Sequence, residues 1–242
     1  MTREQVFGRR AVREALRGRR EVLELWATER ALSAEQWLRE APGVRVQVRP
    51  ERVLTAEVGT TDHQGVLAWC EPYPYEDAYE LAERQDALLV CLDGVTDPHN
   101  LGAVCRSAEG AGADGVIVPA HRSARVTAAV CRASAGAVEH VPVAIVTNVA
   151  SYIKESRRPG LWFWAAAAEA ATSMWSADLT GGVVLVLGAE GRGLRPLVRR
   201  SCDDAVAIPL AGRIESLNVS VAAALLLFEA RRQRTLRPAE RA

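Results

Sequence analysis

The sequence predicts an α/β protein whose larger part is a parallel β-sheet with helices on both faces. From about residue 84 onward, short continuous apolar runs alternate with helical segments, and this alternation is typical of parallel strands that are buried on both sides. Hydrophobic residues make up 49% and charged residues 25% of the 242-residue chain. This composition is sufficient for a sizeable core and argues against a mainly disordered protein.

The first 71 residues predict a smaller α/β unit. A helix is expected over Ala11–Leu16, where the apolar residues share one face, and Ser33 is suited to cap a second helix that carries Trp37. Strands are expected where apolar residues alternate or run continuously, at Val22–Trp26, Val44–Val48 and Gly65–Cys70.

A stretch rich in proline and tyrosine, EPYPYEDAYE over Glu71–Glu80, separates this unit from the larger sheet. It has no apolar period, so we expect a linker over 72–83, a sheet domain over 84–235 and a short tail over 236–242. The strands of the sheet domain are expected at Leu88–Leu92, Val116–Val118, Val141–Val146, Leu161–Ala165, Val183–Leu187 and Ala205–Ile208.

The charges are balanced overall but unevenly distributed. Thirty basic and thirty acidic residues give no net charge, which excludes a uniformly basic nucleic-acid-binding surface but leaves local patches open. All basic residues except Lys154 are arginines, either because of genomic base composition or because some of them grip phosphate with a planar guanidinium.

Both ends of the chain are basic. Residues 1–20 hold seven arginines against two glutamates, and residues 231–242 hold five against one. Such stretches are either solvated helix faces or contacts with RNA phosphates. The candidates for phosphate contact at the N-terminal end are Arg9, Arg10, Arg13, Arg17, Arg19 and Arg20.

Cysteine usage and hydropathy indicate the compartment. The five cysteines are scattered and form no CxxC pair, which indicates a reducing compartment and argues against a disulfide framework or a zinc site. The N-terminus lacks the apolar core of a secretory signal, and the longest apolar stretch, Val219–Phe228, is too short to cross a bilayer. We therefore expect a cytoplasmic protein that binds neither a membrane nor a metal.

One glycine pattern imitates a dinucleotide-binding motif. Gly110, Gly112 and Gly115 spell GAGADG, but a dinucleotide-binding loop follows a strand and opens a helix. Here the preceding stretch LGAVCRSAE is helical and the following VIV is a strand. These glycines therefore predict a helix cap and a turn, and a nicotinamide-dependent oxidoreductase has no other support in the sequence.

Three other segments carry polar residues directly after predicted strands, where open α/β sheets bind their ligands. The first, DGVTDPHNLGAVCRSAEGAG, contains Asn100 and Arg106, and the second, LVLGAEGRGL, contains Glu190 between glycines. The third, IPLAGRIESLNVSVAAALLLFEA, leads into a long apolar helix. Structural explanations also exist: a salt bridge between Arg106 and Glu190, a tight glycine turn, and a helix cap at Ser216.

Together and in this order, the three segments resemble the motifs of the SpoU family in the SPOUT superfamily of RNA methyltransferases. The N-terminal stretches VFGRRAVREAL and TDHQGVLA resemble the substrate-binding domain of bacterial rRNA guanosine-2′-O-methyltransferases in that family. The resemblance covers nearly the whole chain except about the last ten residues.

The resemblance implies properties that no local pattern reveals. The C-terminal sheet should contain a deep trefoil knot, and the N-terminal unit should be similar to an RNA-binding ribosomal-protein fold. The cofactor should be S-adenosylmethionine, the substrate should be RNA, with rRNA expected first, and the protein should be a homodimer.

The resemblance also implies roles for residues at matching positions. The catalytic positions are Arg106, Asn100, Glu190, Ser216 and Asn218. The cofactor-binding positions are Leu187, Gly188, Gly193, Ile208, Leu217 and Ser220. The family's usual proposal makes the arginine the general base, but a guanidinium with a pKa above about 12 stays charged. We therefore expect Arg106 to hold the target phosphate and to orient the hydroxyl.

The expected reaction is methylation of a ribose 2′-hydroxyl, and the N-terminal unit favours a guanosine of large-subunit rRNA as its target. Two alternatives stay open. A tRNA ribose 2′-O-methyltransferase would share the three motifs, and a non-catalytic RNA-binding module for ribosome assembly would share the fold.

Overall fold

The structure, a computed structural model, describes residues 2–41 and 43–236. It divides into two compact units: unit 1 comprises Met1–Pro74 and Arg125–His140, and unit 2 comprises Tyr75–Ala124 and Val141–Ala242. Apart from Leu236, the tail predicted over 236–242 lies outside the described residues.

Strands and helices are numbered along the described chain. The strands are β1 (Glu4–Phe7), β2 (Val22–Ala27), β3 (Val46–Val48), β4 (Val66–Cys70), β5 (Leu88–Asp93), β6 (Gly115–Pro119), β7 (Val143–Val146), β8 (Leu161–Ala166), β9 (Thr172–Ser173), β10 (Gly182–Gly188) and β11 (Asp204–Ala207). The helices are α1 (Arg9–Ala15), α2 (Glu29–Ala34), α3 (Gln36–Arg39), α4 (Glu51–Val58), α5 (Ala78–Glu83), α6 (Pro98–Ala111), α7 (Ala128–Ala133), α8 (Val149–Glu155), α9 (Pro196–Ser201) and α10 (Val219–Leu236), with a 3₁₀ turn at Ala137–Glu139.

Unit 1 has a sheet of its own, which in the described residues contains four strands in the order β1-β4-β2-β3. Strand β4 lies antiparallel to both β1 and β2, and all five of its residues are buried. Leu67 and Trp69 of this strand pack with Phe7 and Leu54 into a small core. Burial on both sides explains why the strand is a continuous apolar run in the sequence.

Several local predictions for the first 83 residues are wrong in detail. Ser33 does not cap the helix that carries Trp37, because Ser33 lies inside α2 and Trp37 lies in α3, whose N-cap residue is Glu35. Helix α2 is capped by Thr28, whose Oγ1 accepts a hydrogen bond from the Ala31 N–H at 3.1 Å. Helix α4 goes unpredicted because it buries a single residue. The expected linker over 72–83 contains helix α5, whose Leu81 is buried in the core of unit 2.

A segment from the middle of the chain completes unit 1. Arg125–His140, which carries α7 and the 3₁₀ turn, is expected in the sheet domain but clusters with the N-terminal residues. The Arg20 guanidinium donates hydrogen bonds to Glu139 at 2.6 and 3.0 Å and to Glu4 at 3.0 Å. A further bond joins it to Cys131 Sγ at 3.2 Å.

This ion pair is removed from solvent. The Arg20 and Glu139 side chains are only 2% and 1% exposed. Burial is the largest single effect and would lower the pKa of Arg20, but the hydrogen bond to Glu139 and the electrostatic interactions around it together outweigh burial, and the pKa lies above the ordinary value. Arg20 is therefore charged and inaccessible, and its expected contact with RNA phosphate is wrong.

Unit 2 is built on a larger sheet, which within the described residues has seven strands in the order β7-β6-β5-β10-β8-β11-β9. All neighbouring strands run parallel, so their carboxyl ends meet at one edge. The predicted parallel α/β sheet is thus confirmed.

Helices cover this sheet on both faces. Leu89 and Cys91 of β5 belong to a hydrophobic cluster with residues of α5, α8 and α9. The intervening Leu88, Val90 and Leu92 are buried as well. They point to the opposite face because successive side chains of a strand alternate, and there α10 packs on β10 and α6 on β6.

A glycine ends helix α6, and an arginine near the end of α10 ties that helix to neighbouring backbone. Gly112 ends α6 in the left-handed conformation, with φ of 72°, so the GAGADG pattern is confirmed as a helix cap. Arg234 fastens α10 by donating hydrogen bonds to backbone carbonyls, among them those of Asp86 at 2.7 Å and Gly181 at 2.5 Å. No helix in the described part of the chain is long and apolar enough to cross a membrane.

We predict that unit 1 depends on the buried ion pair. Arg20→Ala leaves the Glu139 carboxylate buried without its partner and should lower the free energy of unfolding by about 3–5 kcal/mol. Arg17→Ala is the matched control, because the Arg17–Glu14 pair is exposed and such pairs contribute about 0–1 kcal/mol. Urea unfolding followed by tryptophan fluorescence measures both, and equal losses would contradict the prediction.

Candidate active site

Two of the three candidate loops leave the large sheet side by side. Strands β5 and β10 are neighbours, and the last residues of β10, Leu187 and Gly188, pair with Leu92 and Asp93. The first loop leads from β5 into α6, and the second leads from β10 toward α9. Both loops therefore begin at the carboxyl edge of the sheet, where parallel α/β folds bind ligands.

Three polar side chains join all three loops. Asn100, in the first turn of α6, donates a hydrogen bond from Nδ2 to Glu190 Oε1 at 3.1 Å. Asn218, just before α10, donates from its own Nδ2 to Asn100 Oδ1 at 3.0 Å and to Glu190 Oε1. Asn100, Glu190 and Asn218 are called the polar triad below. It ties together the loops that follow β5, β10 and β11.

Asn218 also fixes the start of α10. Its Oδ1 accepts hydrogen bonds from the backbone N–H of Ser220 at 2.9 Å and from the Ser220 hydroxyl at 2.6 Å. This is the bonding of an N-cap residue. Ser216 lies two residues earlier and is exposed, so the expectation that Ser216 caps the helix is wrong.

The loop after β10 folds tightly back on the end of its strand. The Gly193 N–H donates to the Ala189 carbonyl at 2.9 Å, and Gly193 adopts the left-handed conformation with φ of 63°. A Cβ at Gly188 would overlap the backbone of Gly193 and Leu194. Glycine is therefore required at position 188 for this loop to close.

An ion pair between a buried aspartate and a half-exposed arginine, not found by sequence reasoning, anchors the same loop to β5. The Asp93 side chain is 0% exposed, and it accepts hydrogen bonds from Arg195 Nε at 2.8 Å and from the Arg195 backbone N–H at 3.1 Å. The hydrogen bond to Asp93 raises the pKa of Arg195. The sequence signal for this ion pair is an aspartate that directly follows an apolar run, because a buried carboxylate needs a partner.

The third loop, residues 208–217, has polar groups without hydrogen-bond partners among the described residues. Its residues form no hydrogen bond with any other described residue, and its large apolar side chains are exposed, with Ile214 at 74% and Leu217 at 36%. Ile208 follows β11, which is separated from β10 by β8. Two strand spacings place Ile208 about 10 Å from Gly188 along the edge.

Arg106 stands apart from the polar triad. It lies six residues after Asn100 on α6, which puts it about 9 Å further along the helix and on a different side. It is exposed and pairs with no carboxylate among the described residues. The salt bridge to Glu190 that the sequence left open is therefore not formed.

The cysteines supply no thiolate near neutral pH. All five are buried and free. Burial raises the pKa of Cys105, one residue from Arg106 on α6, to about 12. Burial likewise raises the pKa of Cys91, so these thiols are core residues and not nucleophiles.

The N-terminal arginines differ in how far they are committed within unit 1. Arg10 and Arg13 are exposed, and the exposed Arg17 pairs with Glu14 at 3.3 Å. Arg9 donates hydrogen bonds to the Gln64 carbonyl and to the Glu35 carboxylate. Of this set, Arg10 and Arg13 are the most accessible to an anionic ligand.

Two family models match the chain. Residues 87–228 match the SpoU rRNA Methylase family, and residues 5–76 match the model for RNA 2′-O ribose methyltransferase substrate binding. The first match contains the polar triad and the loops that it joins.

Known proteins are similar over most of the chain. The 23S rRNA (guanosine-2′-O-)-methyltransferase RlmB of Ralstonia nicotianae is 46% identical over 206 residues, which are 83% of this chain and 82% of that protein. The SpoU methyltransferase AviRb of Streptomyces viridochromogenes, solved in complex with the cofactor AdoMet, superposes with a TM-score of 0.81 at 28% identity, covering 96% of this chain and 90% of that one. An AdoMet-bound rRNA methyltransferase of Sinorhizobium meliloti gives a TM-score of 0.79 at 28% identity, covering 95% and 87%.

We predict that Gly188, the last residue of β10, tolerates no side chain. Gly188→Ala should force the loop open and lower the free energy of unfolding by about 1–3 kcal/mol, with faster hydrogen exchange of the amides at 189–194. Gly181→Ala is the control, because its Cβ would meet only the Gly160 carbonyl at 3.8 Å. Unchanged exchange in Gly188→Ala would contradict the prediction.

Proposed function

The chain belongs to the SpoU rRNA methylase family, as its three motifs predict, and we propose that it methylates the ribose 2′-hydroxyl of a guanosine in 23S rRNA with S-adenosylmethionine as donor. The observation that carries the proposal is the polar triad, because it gathers the three motif loops at the carboxyl edge of the parallel sheet. Two family models over residues 5–76 and 87–228 support the same activity.

The loop residues fit an adenosine-containing cofactor. Leu187, Gly188, Gly193, Ile208, Leu217 and Ser220 are the residues proposed to hold it. Free backbone N–H and C=O groups over 208–217 suit the edge of an adenine ring, and the exposed Leu217 suits its apolar face. Gly188 and Gly193 lie so close together that they can contact the cofactor only through their backbone groups. When bound, S-adenosylmethionine supplies a methyl group that is already activated.

Arg106 is proposed to position the RNA. Its guanidinium is exposed and has no carboxylate partner among the described residues, so its charge is available to a phosphate next to the target ribose. Holding the phosphate fixes the hydroxyl for in-line attack, and positioning of this kind supplies up to about 7–11 kcal/mol. The hydroxyl proton passes to water, because a guanidinium does not accept it.

The polar triad and Ser216 are proposed to orient the reacting groups. Asn100 retains one N–H beyond its bond to Glu190, and this donor suits a ribose oxygen or the cofactor carboxylate. The exposed Ser216 hydroxyl offers a similar contact. Glu190 accepts from both asparagines and thereby orders the loops, a positioning role and not a chemical one.

We further propose the finer features of the family fold. The third loop returns from β11 past β8 to the polar triad beside β5 and β10, a course that supports a trefoil knot in the methyltransferase domain over 84–235. Residues 1–71 are proposed to form a ribosomal-protein-like RNA-binding domain, with Arg9, Arg10, Arg13 and Arg17 on phosphates. The protein is proposed to act in the cytoplasm.

A homodimer is part of the same proposal. Val221, Leu225 and Phe228 are large, exposed apolar residues on α10, and their spacing of four and three residues places them on one face of the helix. A second copy of the chain would remove this stripe from water. The stripe directly follows the third loop, so a dimer would enclose the cofactor site.

Two observations weigh against the alternatives that the sequence leaves open. The 23S rRNA methyltransferase relative matches 83% of this chain, which favours rRNA over tRNA as substrate. The complete polar triad favours an active enzyme over a module that merely keeps the fold.

We predict that Arg106 is essential for transfer and dispensable for cofactor binding. The chain incubated with tritiated S-adenosylmethionine and a 23S rRNA transcript should yield 2′-O-methylguanosine on nuclease digestion, and a tRNA pool should yield none. Arg106→Ala should lose at least about a hundredfold in rate, with cofactor affinity by titration calorimetry unchanged within a few-fold. Arg106→Lys separates charge from the planar fork. Wild-type turnover by Arg106→Ala would overturn the assignment.

A further inference from the structure

A polar groove of about 420 Å³ opens in unit 1, outside the site proposed for methyl transfer. Its volume falls within the range of about 300–1,000 Å³ typical of small-ligand sites. The groove is lined by Arg9, Thr28, Arg30, Glu51, Gln64 and Gly65. All six lie within residues 5–76, the stretch that matches the substrate-binding model.

The wall of the groove is rigid. Gly65 has φ of 77°, and a Cβ on it would lie 2.5 Å from Thr28 Oγ1 and 3.1 Å from the Ala31 side chain. Gln64 adopts φ of 55° without being glycine, a conformation that costs free energy for most side chains. The turn over Gln64 and Gly65 is thus fixed close against the start of α2.

One arginine of the groove is held and the other is free to bind. Arg9 Nε donates to the Gln64 carbonyl at 3.2 Å, and Arg9 Nη1 donates to Glu35 at 3.0 Å. The Arg30 side chain, by contrast, is exposed and pairs with no carboxylate in the described part of the chain. Arg30 therefore contributes an uncompensated positive charge that suits a phosphate.

Two further groups offer hydrogen bonds to a ligand. Gln64 Oε1 accepts from the Arg9 backbone N–H at 3.0 Å, which leaves both hydrogens of its Nε2 without an acceptor among the described residues. The exposed Glu51 carboxylate has no donor among them either. A carboxylate is an acceptor for paired N–H groups, and guanine presents two adjacent ones, N1–H and N2–H, on its Watson–Crick edge.

We propose that this groove binds one unpaired guanosine nucleotide of the RNA substrate, with its phosphate on Arg30 and its base edge on Glu51 and Gln64. Sequence-specific RNA recognition uses unpaired bases because their Watson–Crick edges are accessible. The inference rests on the proposed function, since it takes the ligand to be the RNA that the enzyme methylates. It adds a guanosine-binding site in unit 1 to the site proposed for methyl transfer.

The test measures RNA affinity in the full-length chain. Filter binding with a labelled 23S rRNA transcript should show about tenfold weaker binding for Arg30→Ala, and the slope of log affinity against log salt should fall by about 0.7–0.9, the value for one lost phosphate contact. Arg45→Ala is the control, because Arg45 is an exposed arginine of unit 1 that does not line the groove. It should lose less than about twofold, and cofactor affinity should be unchanged in both variants.

The base contact is tested by competition. 5′-GMP should displace the transcript at lower concentration than 5′-AMP, and Glu51→Gln should abolish this difference. Equal competition in the wild-type chain, or tighter transcript binding by Glu51→Gln, would overturn the guanine assignment.

The outcomes separate this inference from the proposed function. If the wild-type chain methylates the transcript while Arg30→Ala and Arg45→Ala bind it equally, the groove is not a nucleotide site and the proposed function stands. If the wild-type chain neither binds nor methylates the transcript, both fall together.

Discussion

Two amides and one carboxylate hold the candidate active site together. Asn218 donates to both Asn100 and Glu190, and Asn100 donates to Glu190 as well, so three segments that lie far apart in the sequence meet at one edge of the sheet. The third of these segments has the least support of its own. The loop of residues 208–217 has no internal hydrogen bonds in the described structure, and its course depends on Asn218 at one end and β11 at the other.

Further contacts at the ends of β5 and β10 stabilise this arrangement. Asp93 holds Arg195, which fixes the loop after β10 against the end of β5, and the absence of a side chain at Gly188 lets that loop close on its strand. In unit 1, the pair of Arg20 and Glu139 serves a comparable purpose for a segment inserted from the middle of the chain. In both places a buried charge is retained where one segment must be fixed on another.

The sequence predicts the layers and the loops better than the contacts between them. Continuous apolar runs identify β5, β6, β7, β8, β10 and β11 because buried parallel strands leave a strong pattern. Over residues 72–83, two prolines and three tyrosines predict a linker and give no sign of the short helix α5, whose N-cap is Asp77. The assignment of Arg125–His140 to unit 1 has no local signature at all, because it rests on contacts between residues far apart in the sequence, such as the packing of α7 on β1 and the ion pair between Arg20 and Glu139.

At the candidate active site, too, the sequence predicts the loops better than the contacts between them. Motif order indicates which loops matter, but it does not indicate that Asn218 rather than Ser216 caps α10, because both are good N-cap residues. It also leaves a bond between Arg106 and Glu190 open, and only the geometry shows that Glu190 is bonded to amides while Arg106 is exposed. Arg20 and Arg10 belong to the same basic stretch in the sequence, although Arg20 is buried and Arg10 is exposed.

We propose that the polar triad shapes the cofactor site, and calorimetric titration of S-adenosylmethionine into Asn218→Ala is the most direct test. The substitution removes the bonds to both other loops and the cap of α10. Asn148→Ala is the matched control, because it removes the exposed N-cap of α8 and touches none of the three loops. We expect at least about tenfold weaker binding for Asn218→Ala, equivalent to one or more lost hydrogen bonds, and wild-type affinity for Asn148→Ala. The two variants should have similar melting temperatures, because each loses one helix cap. Wild-type affinity in Asn218→Ala would contradict it.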